Sequence, residues 1–252
     1  MGELKRPVLA DVAVNAIATS TMPAMINLVA TRQKSGTPAE LLRWYNDHVN
    51  LLLRFDGLAG ATLYRRRPAK QPSASAEPDY ICLYRFASLA AFIEFEASDA
   101  KEQARQVTQS GWGNGGIEII QRSQYAASGK WRGSAHAAGA PCVHIQCLDI
   151  AGAQPGTQRW MADRLYLAAT SISDVRHYEW YTRTDATSGQ QQSIVLAALS
   201  EGPTRSALPW LSWWQDATRQ SQPGSFASLG QAPDTVDLRW QAGFERACEW
   251  QR

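Results

Sequence analysis

The chain has 252 residues, enough for one large domain or two small ones. Its 44% hydrophobic and 19% charged residues are typical of a globular protein and exclude an intrinsically disordered chain. The formal net charge of +2 gives no electrostatic reason to expect nucleic acid or an anionic membrane surface as a partner.

The first half of the chain reads as a β-α-β-β-α-β succession after an N-terminal arm over 1–23. A capping box formed by Thr37 and Glu40, with Pro38 at the first helical position, marks the start of the first helix. A polar, Pro/Ser-rich hairpin loop spans 68–78. The remaining elements are predicted as strands over 24–31, 58–67, 80–86 and 117–125, helical stretches over 37–55, 88–95 and 100–109, and a turn over 112–116.

Residues 127–141 have the composition of a linker, and the same order of elements then begins again. Trp210, Trp213 and Trp214 in the second half follow helical i, i+3, i+4 spacing, which is typical of a helix-packing stripe. The second-half elements are predicted as strands over 142–150, 175–184, 193–199 and 236–242 and as helices over 157–171 and 204–219.

A short motif repeats at a constant spacing of 116 positions, which indicates an internal duplication. The same spacing sets Tyr64 against Trp180 on the following strands. Each half has the β-α-β-β-α-β layout of a ferredoxin-like unit, whose sheet needs cover on the face without helices. We therefore predict an α+β fold of tandem ferredoxin-like halves, 24–126 and 142–252, with antiparallel sheets packed face to face, as a monomer or homodimer. The repeated residues are Arg43, Trp44, Asp47 and Leu51, which recur as Arg159, Trp160, Asp163 and Leu167.

The segment from Thr37 to His48 (TPAELLRWYNDH), the turn Phe55-Asp-Gly-Leu58 and Tyr64 resemble the EthD-like branch of the dimeric α+β barrel superfamily. Asp56 stands where that family often has proline. The resemblance implies two fused copies that form an internal barrel, with a ligand pocket at the helix–sheet interface. Relatives include isomerases, cyclases, monooxygenases and proteins without known activity, so the resemblance predicts the fold more than a reaction.

One stripe of the first helix carries the candidate site, because its residues follow i, i+3, i+4, i+7 spacing and must face the sheet. His48 on this stripe is predicted to be a general acid/base in the wall of the pocket; a core histidine bonded to a carbonyl is the structural alternative. We place catalytic roles on His48, Tyr45 and Tyr64. Substrate-binding roles are placed on Trp44, Tyr80 and Arg85.

The second half carries Arg164 where the first half carries His48. A guanidinium on an apolar helix face needs an anionic partner, and Glu179 on the next strand is predicted to supply it in a structural ion pair; a substrate carboxylate is the alternative partner. His177 and Glu179 share a strand face and are alternatively predicted to line a cavity between the sheets. We expect the open pocket in the half with His48.

The sequence has no cluster of metal-ligating residues at the spacing of a metal site and no cofactor-binding motif, so we expect neither metal nor cofactor. The cysteines are dispersed and predicted to be free and buried. Asp11 and Asn15 interrupt the apolar N-terminus and no stretch of about 18 apolar residues exists, so we expect no secretory signal, no membrane span and a cytoplasmic location. The cysteines are Cys82, Cys142, Cys147 and Cys248.

Three functions remain open from the sequence. The leading one is a cofactor-independent enzyme that acts by proton transfer, as an isomerase, cyclase or lyase, on a small apolar or aromatic molecule. The second is a small-molecule-binding or stress-related module without turnover. The third is a haem enzyme of the fused-barrel type, such as the chlorite dismutases, for which His144 and His177 are the available axial ligands in the second half.

Overall fold

The computed structural model describes residues 24–67, 77–132, 142–151, 156–171, 175–185, 191–199 and 235–252. The first half contains β1 (Met25–Gln33), α1 (Pro38–Leu52), β2 (Leu58–Arg66), β3 (Tyr80–Phe86), α2 (Leu89–Glu96), α3 (Asp99–Ser110), α4 (Gly113–Gly116) and β4 (Ile117–Arg132). The second half contains β5 (Cys142–Ala151), α5 (Thr157–Ser171), β6 (Val175–Arg183), β7 (Gln191–Leu199) and β8 (Thr235–Gln251).

The eight strands form a closed antiparallel barrel in the order β1-β3-β2-β8-β5-β7-β6-β4. Within each half the order is that of a ferredoxin-like sheet: β4-β1-β3-β2 in the first and β8-β5-β7-β6 in the second. Two seams join the halves, because β8 pairs with β2 and β4 pairs with β6. The predicted fold class is confirmed: two antiparallel ferredoxin-like sheets face each other across one interior.

Strand alternation divides the core into three clusters. The barrel interior is filled by side chains of both sheets, among them Leu28, Leu83, Ile145 and Leu196. The outer face of the first sheet packs against α1, α2 and α3, and the outer face of the second sheet packs against α5. Of two consecutive residues on a strand, one therefore faces the barrel interior and the other faces the helices outside.

The start of α1 is held as the sequence predicts. The Glu40 backbone N–H donates to Thr37 Oγ1 at 3.3 Å, and the Thr37 backbone N–H donates to Glu40 Oε2 at 2.7 Å. These two bonds satisfy backbone donors that the first helical turn leaves unpaired. Gly36 precedes them at φ +76°, where a Cβ would lie 2.6 Å from Nε1 of Trp112, so glycine is required by both conformation and space.

Two strands, β4 and β8, extend well beyond their predicted ends. Residues 127–132, assigned to the linker from their composition, continue β4, because they pair with β6 across the seam. The last strand reaches Gln251 instead of ending at 242, because it pairs with β5 along one part and with β2 along the other.

Four predicted features lie outside the described residues: the arm over 1–23, most of the hairpin loop (68–76), the rest of the linker (133–141) and the helix over 204–219 with its tryptophan stripe. The four cysteines are free; Cys248 is partly exposed and the others are buried. Among the described helices, none has the length and apolar character required to cross a membrane.

Candidate functional site

A cavity of about 270 Å³ lies between the outer face of the first sheet and helices α1 and α3. Its inner wall is apolar and aromatic, and its rim carries charged and polar side chains of α2 and α3. The residues that line it are Asn27, Val29, Thr31, Trp44, Tyr45, His48, Leu52, Tyr84, Phe95, Glu96, Lys101, Arg105, Thr108, Gln109, Ile117, Ile119 and Arg122.

His48 is fixed in this wall by contacts on two sides. Its ring stacks on Trp44, one helical turn earlier, with ring centroids 4.9 Å apart and an interplanar angle of 21°. Its Nδ1 lies 3.2 Å from the hydroxyl oxygen of Thr108 on α3. The Thr108 hydroxyl donates its own proton to the Ala104 carbonyl at 2.9 Å. Since the Thr108 proton is committed, Nδ1 carries the proton of the neutral ring and Nε2 keeps a lone pair.

Burial lowers the pKa of His48 to about 4, and the positive charge of Arg122 acts in the same direction. A hydrogen bond to the Ala104 backbone opposes both effects but is smaller than the desolvation. The imidazole is therefore neutral at pH 7. It presents an unprotonated ring nitrogen that accepts protons but has little basicity.

Trp44 and Tyr45 lie in the same wall, in contact with each other at 4.8 Å between ring centroids. The Tyr45 hydroxyl lies 3.1 Å from Thr31 Oγ1, so its hydrogen-bonding capacity is already used in part. Burial raises the pKa of Tyr45 far above its ordinary value, which keeps the phenol neutral. Tyr45 therefore suits a hydrogen-bonding role better than that of an acid or base.

Sequence reasoning missed several polar residues of the cavity, among them Asn27, Tyr84, Thr108 and Arg122. Asn27 carries a recognisable signal, because it is the one polar residue in the apolar stretch 25–30 of β1. Its buried Oδ1 has no hydrogen-bond partner among the described residues. Tyr84 shares a strand face with Tyr80, the residue that the sequence predicts for this site. Thr108 and Arg122 reach the site only through packing between distant elements, which no local pattern reveals.

Tyr64 and Arg85 do not join His48, although they were predicted as its partners. The alternation of β2 and β3 turns their side chains into the barrel, where they line a separate cavity of about 180 Å³. Tyr80 is on the same face as the His48 site but is packed in the core, outside the cavity lining. The structure thus brings together His48, Trp44 and Tyr45.

The predicted pairing of Arg164 with Glu179 is wrong. Glu179 faces the barrel interior together with His177, as the alternative prediction had it, and accepts a hydrogen bond from Tyr181 at 2.8 Å. Arg164 is on α5, outside the barrel, with its guanidinium 5.6 Å from the ring centroid of Trp160. The sheet separates the two side chains.

Neither histidine expected for the haem alternative fits an axial ligand. His177 faces the interior cavity of about 180 Å³, which charged side chains also line, so its surroundings do not suit an apolar porphyrin ring. His144 directs Nε2 at Gln241 at 3.3 Å, and its Nδ1 is enclosed without accessible surface. Within the described part of the chain, no group of three or more His, Cys, Asp and Glu side chains is placed to hold a metal ion.

No protein-family model and no curated protein matches the sequence. Solved structures nevertheless share its fold over most of the chain. A mutant chlorite dismutase from Candidatus Nitrospira defluvii covers 90% of this chain and 93% of its own, with 8% identity and a TM-score of 0.52. An anthrone oxidase-like protein covers 90% of this chain and 92% of its own, with 8% identity and a TM-score of 0.51.

A candidate monooxygenase from Fusobacterium nucleatum covers 92% of this chain and 96% of its own, with 10% identity and a TM-score of 0.50. Identities this low establish a common fold and no common reaction. The assignment to the EthD-like branch stays a prediction. The chain has the dimeric α+β barrel fold, closed within one polypeptide.

Proposed function

We propose that this protein is an enzyme that binds a small aromatic molecule in the cavity of His48 and transfers a proton on it without a bound cofactor. The observation that carries the proposal is a neutral, oriented imidazole in an apolar, aromatic wall. An apolar cavity with a few placed polar groups is the usual form of a small-molecule site. His48 is the proton acceptor, and Trp44 provides a flat surface for an aromatic ring.

The low basicity of His48 restricts the substrate. A base whose conjugate acid has a pKa of about 4 takes up a proton at neutral pH only from an acidic donor. An enolisable aromatic ketone meets this condition, because its α C–H is acidified by the carbonyl and by the rings. In the proposed step, the C–H bond breaks, the proton passes to Nε2 of His48, and the electron pair forms an enolate. Arg122 at the cavity is suited to stabilise the enolate oxygen.

The reaction class is thus keto–enol isomerisation, or another reaction that begins with an enolate. The name of one protein with the same fold, an anthrone oxidase-like protein, supports an aromatic substrate of this kind. The four free cysteines are compatible with a reducing compartment, which supports the cytoplasm as the location.

A binding module without turnover is the second candidate. The low pKa of His48 favours it, because a weakly basic imidazole serves well as a fixed hydrogen-bonding group. The hydroxyl of Tyr45, which already bonds to Thr31, fits the same role. In this case His48 orients the ligand and no proton is transferred.

Deuterium exchange at the methylene group of anthrone distinguishes the two candidates. In D₂O at neutral pH, followed by ¹H NMR, we expect the protein to accelerate exchange beyond the rate in buffer. His48→Gln should lower this acceleration by a factor of about 100 or more, the usual contribution of a general base. His144→Gln, in the second half and outside the cavity, is the matched control and should exchange like the wild type.

Binding of anthrone without accelerated exchange would rule out the enzyme and leave the module. Absence of both would contradict both candidates. If His48→Gln exchanges as fast as the wild type, His48 is not the base.

A further inference from the structure

The barrel interior contains the second cavity, which the proposed function does not use. It has a volume of about 180 Å³, room for about six water molecules at liquid density. Its walls come from both halves of the chain. Exposed Arg246 and Glu249 line it too, so it reaches the surface on that side. The polar residues that line it are Thr62, Tyr64, Arg85, His177, Glu179, Tyr181, Arg246 and Glu249.

The two halves contribute opposite charges at this cavity. Strand pairing sets Thr62 opposite Leu83 in the first half and Glu179 opposite Leu196 in the second, so Glu179 takes the place of Thr62. In the same way, Ala198 takes the place of Arg85. At these equivalent positions the first half therefore supplies a cation and the second half an anion.

Arg85 and Glu179 have hydrogen bonds to neutral groups but no ion pair within the described residues. Nη1 of Arg85 donates to Thr62 Oγ1 at 2.6 Å, and Glu179 accepts from the Tyr181 hydroxyl at 2.8 Å. The other two charged residues of the cavity, Arg246 and Glu249, form an ion pair with each other, with 2.5 Å between Nη1 and Oε2. A charge at a partly buried site without a counter-ion is unfavourable, and one cation and one anion in the same cavity remain available.

Two tyrosines lie in the same cavity as the unpaired charges. Tyr64 and Tyr181 occupy equivalent positions, since each pairs with an isoleucine of the neighbouring strand. Burial raises the pKa of both tyrosines, and the charges of Arg85 and Glu179 act on each of them, so both phenols remain neutral. The Tyr64 hydroxyl has no hydrogen bond to the described residues and is available to a ligand.

We propose that this cavity binds a small zwitterion of the α-amino-acid type, with its carboxylate on Arg85 and its ammonium group on Glu179. A guanidinium matches a carboxylate by two parallel hydrogen bonds, and a carboxylate accepts from an ammonium group. The available volume suits a ligand with a short side chain. The net charge of the four ionised side chains is zero, which favours a ligand that is itself neutral overall.

The test is a ligand-observed NMR titration of the full chain with three matched probes: L-alanine, propionate and ethylamine. Propionate lacks the ammonium group of alanine and ethylamine lacks its carboxylate. At probe concentrations up to about 10 mM, ten times a dissociation constant of 1 mM, we expect alanine to bind and the two fragments to bind at least tenfold more weakly.

Arg85→Gln and Glu179→Gln should each weaken alanine binding at least tenfold. Arg85→Lys keeps the charge but loses the bidentate geometry, so it should retain part of the affinity for alanine. Partial binding by this variant would show that the weaker binding of Arg85→Gln is not caused by unfolding. His48→Gln should bind alanine like the wild type, so the outcome is independent of the proposed function. The proposal is overturned if alanine does not bind, if propionate binds as tightly, or if neither charge variant weakens binding.

Discussion

His48 makes the stability of the protein depend on pH, because burial favours its neutral form. Its pKa is about 4 in the folded chain against about 6.5 when exposed, so the unfolded chain takes up the proton first as the pH falls. The contribution of His48 to folding stability is fully present well above pH 6.5 and is lost progressively as the pH falls through 6.5 towards 4. Between pH 7 and pH 5 this loss amounts to about 2 kcal/mol.

Urea unfolding of the wild type and of His48→Gln at pH 7 and pH 5 measures this contribution. Glutamine does not titrate, so the variant should lose about 2 kcal/mol less than the wild type between the two pH values. Other histidines, including the buried His144, contribute equally to both proteins and cancel in the comparison. Equal losses in the two proteins would mean that His48 is not held neutral.

Helical periodicity was sufficient to predict that Trp44, Tyr45 and His48 share one wall, since the three belong to one helix face. The same reasoning did not assign Tyr64 and Arg85 to their cavity, although alternation along β2 and β3 contains that information. Without the position of the helices, either face of a strand could be the pocket face. The role of Thr108 depends on the packing of α3 against α1 and could not be read from local sequence.

Gly129 on β4 lies opposite Trp180 on β6, at one seam of the barrel. A Cβ at this position would overlap the ring of Trp180, which is buried in the core of the second half. Gly129→Ala should therefore displace Trp180 and destabilise the protein by about 2 kcal/mol, the usual cost of overpacking. For a chain of this size that lowers Tm by about 4–8 °C.

Thermal unfolding followed by circular dichroism checks this prediction. Ala127→Ser changes an exposed position of the same strand and should leave Tm within about 2 °C, because surface substitutions rarely exceed about 0.5 kcal/mol. An unchanged Tm for Gly129→Ala would show that the seam has room for a side chain.

The sequence pattern predicted the first and last residues of most elements of the first half to within a few residues. It did not predict where β4 ends in the first half or where β8 ends in the second. Residues 127–132 (ASGKWR) have low strand propensity and resemble a linker. Their pairing with β6, a non-local interaction, determines their structure. The motif repeated at a spacing of 116 lies in α1 and α5, whereas strand pairing matches Tyr64 with Tyr181 rather than with the predicted Trp180, because β6 follows β2 at a spacing of 117.

The closed barrel makes the two halves depend on each other. Each described strand has a neighbour on both sides, and two of these pairings join one half to the other. A fragment of residues 24–132 alone would expose the interior face of its sheet and the unpaired edges of β2 and β4. We expect this fragment to self-associate, and light scattering after size exclusion should detect a dimer or larger species. A folded monomeric fragment would contradict this interdependence.

The most direct test of the proposed site is long-range ¹H–¹⁵N NMR of the protein labelled at histidine, with His48 assigned by its absence in His48→Gln. We expect a neutral ring at pH 5.5, protonated at Nδ1, as the geometry at Thr108 and the lowered pKa require. Addition of anthrone should shift the His48 nitrogens saturably and leave those of His144 and His177 unchanged. A cationic His48 ring at pH 5.5, or nitrogens that do not respond to anthrone, would contradict the assignment of this cavity as the site of proton transfer.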